Sequence, residues 1–119
     1  IRKIHRRNPN AIIAVTGCYA QLKPEAIAEI EGVDIVLSNN DKGDLYKRVV
    51  ELQNRNKTEV YSCSVEELTR FFPAYSSGDR TRSFLKVQDG CDYKCAYCTI
   101  HYARGASRNI PIADIVSEA

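Results

Sequence analysis

The chain has 119 residues, about the size of one domain, and its 44% hydrophobic and 27% charged content is ordinary for a globular protein. No apolar run approaches the roughly 18 residues of a membrane span, and no apolar segment of a signal peptide follows the basic start, so we expect a cytoplasmic protein with no membrane partner. The net charge of +2 does not by itself mark a nucleic-acid-binding protein.

The ends of the sequence predict that this is an internal piece of a longer protein. Residue 1 is Ile, Met is absent, and the first and last helical patterns look interrupted. The five cysteines, an odd number with no secretory signal, favour reduced thiols or metal ligands over a disulfide framework.

The first half of the chain alternates between helical and strand patterns. Residues 1–8 predict the end of a helix before Pro9, with a basic face that is either simply solvated or in contact with RNA. The apolar runs at 11–15 and 33–37 are typical of strands buried on both faces. A helix is predicted from Pro24 towards Gly32.

Further along, Asn39, Asn40 and Asp41 are potential caps for a helix that runs through about Gln53. Helices alternating with buried strands predict an α/β fold with a parallel sheet. Residues 59–63 are a short strand candidate, and the run from Ser64 to Glu67 has the form of a capping box.

The second half begins after a polar boundary, PAYSSGDRT, at residues 73–81. Residues 82–88 predict a third strand, a parallel one, which leads through Asp89-Gly90 into a cysteine cluster. Helices are expected from near the last cysteine to Gly105 and again after Pro111. We therefore divide the chain into an α/β domain at 1–55, a linker at 56–81 and the start of a second domain at 82–119.

The cysteine cluster has the spacing C-x3-C-x2-C at Cys91, Cys95 and Cys98. Thiolates are soft ligands that favour zinc, copper(I) and iron–sulfur clusters. Three ligands in a short loop at the end of a strand suggest a 4Fe–4S cubane with one iron open to another ligand. A closed zinc site, with a fourth ligand from Cys63 or His101, is the alternative, as is a redox cluster with four thiolates.

The run CDYKCAYC resembles the radical S-adenosylmethionine (SAM) signature. The stretch FLKVQDGCDYKCAYCTIHYARGASRN and the segment TGCYAQLKPEAIAEIEGVDIVLSNNDKGDLYKRV resemble the methylthiotransferase family, over nearly the whole chain. The residues of these two segments are most similar to the branch of the family that acts on threonylcarbamoyladenosine in tRNA. The resemblance implies a flavodoxin- or Rossmann-like amino-terminal sheet, followed by the first strand and cluster loop of a radical SAM partial TIM barrel.

The resemblance also implies ligands and cofactors. Cys91, Cys95 and Cys98 would hold the radical SAM cluster, whose open iron binds SAM. Tyr97 would lie near the adenine of SAM, and Arg104 is a further cofactor-binding candidate. Cys18 matches the last of three cysteines that hold a second 4Fe–4S cluster in this family. Without the resemblance, a single cysteine after a strand would be interpreted as a small residue packed in the core.

The implied reaction is the addition of a methylthio group to the C2 carbon of the modified adenine, through a 5′-deoxyadenosyl radical. The implied partners are the tRNA anticodon stem-loop, SAM and a reductant such as flavodoxin or ferredoxin. Alternative substrates are isopentenyladenosine in tRNA and a ribosomal-protein aspartate. A non-enzymatic zinc or iron–sulfur interaction module is an alternative of another class.

Some residues depart from the family pattern. His101 stands where the family usually has proline, and we expect an ordinary loop histidine there. Cys63 lies outside every motif and is expected to be a plain strand cysteine. Arg104 and Arg108 are either salt-linked loop residues or contacts to SAM or tRNA phosphate. The chain by itself is expected to be inactive and to self-associate through exposed sheet edges.

Overall fold

The computed structural model describes residues 1–52, 57–76 and 84–118. The helices are α1 (Arg2–Arg7), α2 (Cys18–Leu22), α3 (Pro24–Ala28), α4 (Leu45–Glu51), α5 (Ile100–Arg104) and α6 (Ile112–Glu118). The strands are β1 (Ala14–Thr16), β2 (Ile35–Leu37), β3 (Glu59–Tyr61), β4 (Tyr75–Ser76), β5 (Phe84–Leu85), β6 (Gln88–Asp89) and β7 (Arg108–Asn109). Single turns of 3-10 helix span Lys42–Asp44 and Val65–Glu67.

A three-stranded parallel sheet in the order β1-β2-β3 forms the centre of the first half. The central strand β2 is fully buried, as its continuous apolar sequence predicts. Helices α2 and α3 pack against it through Ala20 and Ile27, which contact Val33 and Val36 in the main core cluster. The α/β architecture with a parallel sheet, expected from the sequence, is therefore confirmed.

The first strand is shorter than the predicted run at 11–15. Its regular pairing starts at Ala14, because Ile13 is bonded in another way: its carbonyl accepts hydrogen bonds from the amides of Asp34 (2.9 Å) and Ile35 (3.2 Å). The Ile13 amide in turn donates to the Asp34 carboxylate at 2.8 Å. The carboxylate of Asp34 thus replaces a backbone carbonyl as the hydrogen-bond acceptor for Ile13, and the regular strand pairing begins only at Ala14.

The helix predicted from Pro24 towards Gly32 is replaced by two short helices. Pro24 is the first residue of α3, as expected, but the chain is already helical from Cys18 to Leu22. The break falls at Lys23, which has φ −142°, because a residue that precedes proline is disfavoured in the helical region. α3 ends at Ala28, before Gly32.

The third strand predicted at 82–88 is corrected by the structure. Two short antiparallel pairs are found among residues 84–109 in its place: β5 pairs with β4, and β6 pairs with β7. Parallel pairing needs a neighbouring strand beyond a long crossover, whereas antiparallel pairing satisfies the backbone with nearby chain. The described residues therefore show no barrel strand; residues 82–83 lie outside them.

The remaining element predictions have mixed outcomes. Helices α1, α5 and α6 lie where the sequence predicts them, and the capping box of Ser64 and Glu67 is present, although it starts only a 3-10 turn. Asn39, Asn40 and Asp41 provide no side-chain cap for α4. The predicted helix end at Gln53 and residues 77–81 of the polar boundary lie outside the described residues. None of the helices in the described ranges has the length and apolar character that a membrane crossing requires.

Candidate metal centre

The three clustered cysteines lie on one loop between β6 and α5. The amide of Cys91 donates to the carbonyl of Gly105 at 3.0 Å, which ties the start of the loop to the end of α5. The amide of Cys98 donates to the carbonyl of Cys95 at 3.0 Å and closes a turn before α5. Cys95 is exposed and the other two are half-buried, and all three are free thiols. The start of the loop is thus tied to the end of α5, and its last part is closed by a turn.

Gly90 makes the close return of this loop possible. It has φ +76°, and a Cβ built there would lie 2.1 Å from the carbonyl oxygen of Ala106. That distance is far inside van der Waals contact, and the positive φ is a conformation that L residues rarely adopt. Only glycine therefore fits between the cysteine loop and the segment that follows α5.

A buried carboxylate, Asp89, sits beside the loop and is surrounded by cations. Lys86 Nζ lies 2.6 Å from it and Arg104 Nη1 3.3 Å, while Lys42 and Arg108 approach to 3.9 and 4.0 Å. Burial alone raises the pKa of Asp89, but the hydrogen bond from Lys86 and the charges of the neighbouring cations outweigh it and hold the pKa below its ordinary value. Asp89 is thus an anion that organises several positive side chains.

Cys18 is brought to the same region from the first half of the chain. It is the first residue of α2, which only Gly17 separates from β1, and its sulfur accepts a hydrogen bond from Arg104 Nε at 3.4 Å. This contact, followed by the charge of Asp89, raises the pKa of Arg104 despite partial burial. Arg104 thus holds the half-buried thiol of Cys18 beside the end of α5.

The other predicted site residues have different surroundings. Tyr97 is 92% exposed on the cysteine loop. The Nδ1 atom of His101 lies 3.1 Å from the carbonyl oxygen of Cys91, so the His101 ring contacts the start of the cysteine loop. The carbonyl of Cys63 accepts a hydrogen bond from Gln21 at 2.8 Å. Arg104 and Arg108 both form salt bridges with Asp89, as expected if they are salt-linked loop residues.

The donor set fits an iron–sulfur cluster in its chemistry. Three soft thiol ligands lie on one accessible loop, and a fourth thiol is held against a guanidinium. Among the described residues, no three His, Cys, Asp or Glu side chains are grouped so that they could hold a metal ion. The fit therefore rests on the type and the exposure of the ligands.

The sequence indicates Arg104 and Arg108 as salt-linked candidates, but it does not indicate the carboxylate of Asp89 as their partner. It also gives no role to Lys42 and Lys86. The available signal was an acidic residue directly between a strand and a metal-ligand motif, a position where buried polar groups need partners. Lys42 could not have been found, because it is distant in sequence and reaches Asp89 only through the fold.

Comparison with known proteins shows similarity over nearly the whole chain. It is 38% identical over 120 residues to the threonylcarbamoyladenosine tRNA methylthiotransferase MtaB of Aquifex aeolicus, covering 99% of the chain and 29% of that protein. It is 39% identical to the MtaB of Bacillus subtilis, covering 100% of the chain and 27% of that protein.

A second group of relatives carries another name. The chain is 31% identical over 118 residues to the tRNA-2-methylthio-N(6)-dimethylallyladenosine synthase of Fusobacterium nucleatum, covering 98% of the chain and 27% of that protein. The chain thus spans less than a third of the length of the curated relatives that it matches. No protein-family model matches the chain.

Proposed function

Because this chain belongs to the family of tRNA methylthiotransferases, we propose that it is a segment of a radical SAM enzyme that adds a methylthio group to an adenosine of tRNA. The observation that carries the proposal is the cysteine loop between β6 and α5, with Cys18 held beside the end of α5 by Arg104. The similarity covers both parts of the chain that meet there. The domain division at 1–55, 56–81 and 82–119 is part of the same proposal.

We assign the radical SAM cluster to Cys91, Cys95 and Cys98. When bound, a 4Fe–4S cluster with an open iron supplies the electron that cleaves SAM, and a reductant such as flavodoxin or ferredoxin restores it. The protein provides the ligands and the surroundings that tune the cluster. The hydrogen bond from Cys91 to Gly105 fixes the start of the loop that carries the three thiols, and Tyr97 on this loop is exposed, as a contact with the adenine of SAM would require.

Cys18 is proposed as one of three ligands of a second 4Fe–4S cluster. One thiolate cannot hold such a cluster, so the other two ligands would come from a part of the enzyme that this sequence does not contain. Arg104 is also proposed to contact SAM. Its guanidinium has five N–H donors, so it can serve SAM while bonded to Cys18 and Asp89.

The proposed substrate is threonylcarbamoyladenosine next to the tRNA anticodon. The names of the two relatives at 38% and 39% identity support this nucleoside. Dimethylallyladenosine is the second candidate, since a relative at 31% identity is named for it. The exposed basic residues of α1 would favour a phosphate-rich partner such as tRNA.

The test uses the full-length protein purified without oxygen. We expect bound iron and sulfide, cleavage of SAM after reduction, and methylthiolated threonylcarbamoyladenosine in the tRNA of a strain that carries the gene. The variant Cys95→Ala should lose iron and SAM cleavage, whereas Cys63→Ala should behave like the wild type. A saturated zinc centre at the cysteine loop, or unchanged tRNA nucleosides after deletion of the gene, would refute the proposal.

A further inference from the structure

The segment that follows the central strand β2, residues 38–44, contacts both ends of the cysteine loop; we call it the β2 loop. On one side, the side-chain amide of Asn39 donates to the carbonyl of Ala103 in α5 at 2.7 Å, across 64 residues of sequence. On the other side, Lys42 Nζ lies 3.9 Å from the carboxylate of Asp89 in β6. The cysteine loop runs between these two elements, so one segment from the first half of the chain holds both of its flanks.

The β2 loop is itself fixed to the end of the buried strand. Ser38 is 2% exposed, and its amide donates to the carbonyl of Tyr61 at 2.8 Å. Its hydroxyl accepts from the amides of Asn40 (3.1 Å) and Asp41 (3.2 Å) and donates to the Asp41 carboxylate at 2.5 Å. The turn cannot change shape without breaking several of these bonds, so it can hold other elements in place.

A second segment packs against the β2 loop and fixes its far end. The Arg70 amide donates to the side-chain carbonyl of Asn40 and Arg70 Nη1 to its backbone carbonyl, both at 3.1 Å. The ring of Phe72 lies against Gly43, where an added Cβ would be 2.1 Å from it. The Lys42 ammonium lies over the same ring, 5.1 Å from its centroid, which orders the side chain that approaches Asp89.

The two flanks of the cysteine loop are also tied to each other. The Cys91 amide donates to the carbonyl of Gly105 at 3.0 Å, and the Gly105 amide donates to the carbonyl of His101 at 2.9 Å. Ala103, which receives the bond from Asn39, lies between these two residues in sequence and is 1% exposed. A displacement of α5 therefore moves the start of the cysteine loop as well.

We propose that the β2 loop is a clamp that fixes the position of the cysteine loop relative to the parallel sheet, with the Asn39 side chain as its main contact. Only in treating the cysteine loop as the reactive part of the chain does this inference rest on the proposed function. Asn39 donates a direct hydrogen bond, whereas Lys42 acts on Asp89 through charge at 3.9 Å and shares it with Lys86. Without Asn39, the buried carbonyl of Ala103 loses its donor, and α5 is held less firmly.

The test measures hydrogen exchange by mass spectrometry in the full-length protein purified without oxygen. Peptides that cover residues 91–105 report on the cysteine loop and α5, and a peptide that covers residues 35–37 is the internal reference. Asn39→Ala is compared with Asn8→Ala, which removes an exposed asparagine that accepts a local bond from the Asn10 amide. We expect exchange in residues 91–105 to be about 2- to 10-fold faster in Asn39→Ala, as the loss of one hydrogen bond predicts, with the reference unchanged.

Two further variants separate the hydrogen bond from packing and folding. Asn39→Asp keeps the shape of the side chain but removes the N–H donor, so it should also speed exchange at residues 91–105. Lys42→Met keeps an unbranched side chain beside Phe72 without the charge, and we expect a smaller increase from it.

The outcomes for the clamp and for the proposed function are read separately. If both Asn39 variants exchange like Asn8→Ala, or if exchange rises equally at residues 35–37, the clamp is overturned and the proposed function stands. If the wild type neither cleaves SAM nor methylthiolates tRNA, the proposed function is overturned, and the exchange rates still decide whether the clamp exists.

Discussion

At the level of single residues, the buried carboxylate of Asp89 decides how the charges near the cysteine loop are arranged. Lys86 and Arg104 contact it directly, and Lys42 and Arg108 lie within 4.0 Å. Four cations around one anion repel one another, and this repulsion adds to burial in lowering the pKa of Lys42. The arrangement is stable only while the central charge is present.

We predict that Asp89→Asn destabilises the chain. The substitution keeps the size of the side chain but leaves the surrounding cations without their anion. Removing one partner of a fully buried pair costs roughly 3–5 kcal/mol, and we expect less here because Arg104 is 45% exposed. Urea unfolding measures the effect, with Asp114→Asn on the exposed face of α6 as the control. Equal midpoints for the two variants would contradict the prediction.

A second ion pair predicts a pH dependence of stability. The hydrogen bond from Arg70, and then its charge, hold the pKa of Asp44 below its ordinary value of 3.8, despite the opposing effect of burial. A carboxylate with a depressed pKa in the folded state stabilises the fold above its unfolded pKa, and this contribution is lost as the pH falls through the folded pKa.

The matching experiment compares the wild type with Arg70→Gln. We expect a lower thermal midpoint for the variant near neutral pH and a gap that narrows below about pH 4, where the carboxylate becomes protonated. Lys57→Gln, at an exposed position, serves as the charge control and should show no such narrowing. A gap that stays constant over this range would mean that Asp44 does not mediate the effect.

At the level of elements, short segments are held by specific backbone contacts because few of them are long enough to be stable alone. α5 has five residues, and Gly105 ends it with φ +70°. The loop before α5 depends on Gly90, where the chain passes directly over the carbonyl of Ala106. Isolated helices of this length are unstable in water, so such tertiary contacts determine their position.

We predict that Gly90→Ala destabilises the chain more than Gly17→Ala. Both glycines have positive φ, a conformation that costs an L residue on the order of 1–3 kcal/mol. A Cβ at Gly17 meets nothing within 4 Å, whereas one at Gly90 would collide with backbone atoms. The thermal midpoints of the two variants separate the cost of backbone strain, which both share, from the cost of the collision, which only Gly90→Ala has. Equal decreases in the midpoint would show that the Ala106 segment moves away without cost.

At the level of the whole molecule, the parallel sheet determines which distant residues meet. Cys18 lies two residues after the end of β1, and the docking of α2 on α5 brings the cysteine loop to that end of the sheet. Residues at the carboxyl ends of parallel strands are a common place for ligand chemistry in α/β folds. The arrangement brings Cys18 beside α5, the helix that follows the cysteine loop.

The edges of the same sheet predict self-association of the isolated chain. β1 and β3 are the outer strands of the three-stranded sheet, and Val60 on β3 is 41% exposed. Unpaired edge groups can pair with another copy, and a charge on the edge discourages this. We expect the sedimentation coefficient to rise with concentration and Val60→Lys to reduce the rise. A concentration-independent monomer would refute the prediction.

The sequence by itself determined the α/β class, a buried strand within the predicted run at 33–37, the helix boundaries around Pro24 and Gly105, and the family. The elements follow from local rules, namely apolar runs, proline geometry and glycine at helix ends, whereas the family follows from the resemblance of two long sequence segments. The ligand roles of Cys91, Cys95, Cys98 and Cys18 remain predictions.

Only the tertiary structure decided the antiparallel pairing of β6 with β7, the cation cluster around Asp89 and the contact of Arg104 with Cys18. These features depend on contacts between residues up to 86 positions apart, and local patterns carry no information about which distant groups meet. A buried carboxylate takes whichever donors the packed chain places beside it, because leaving it without partners costs more than ordering them.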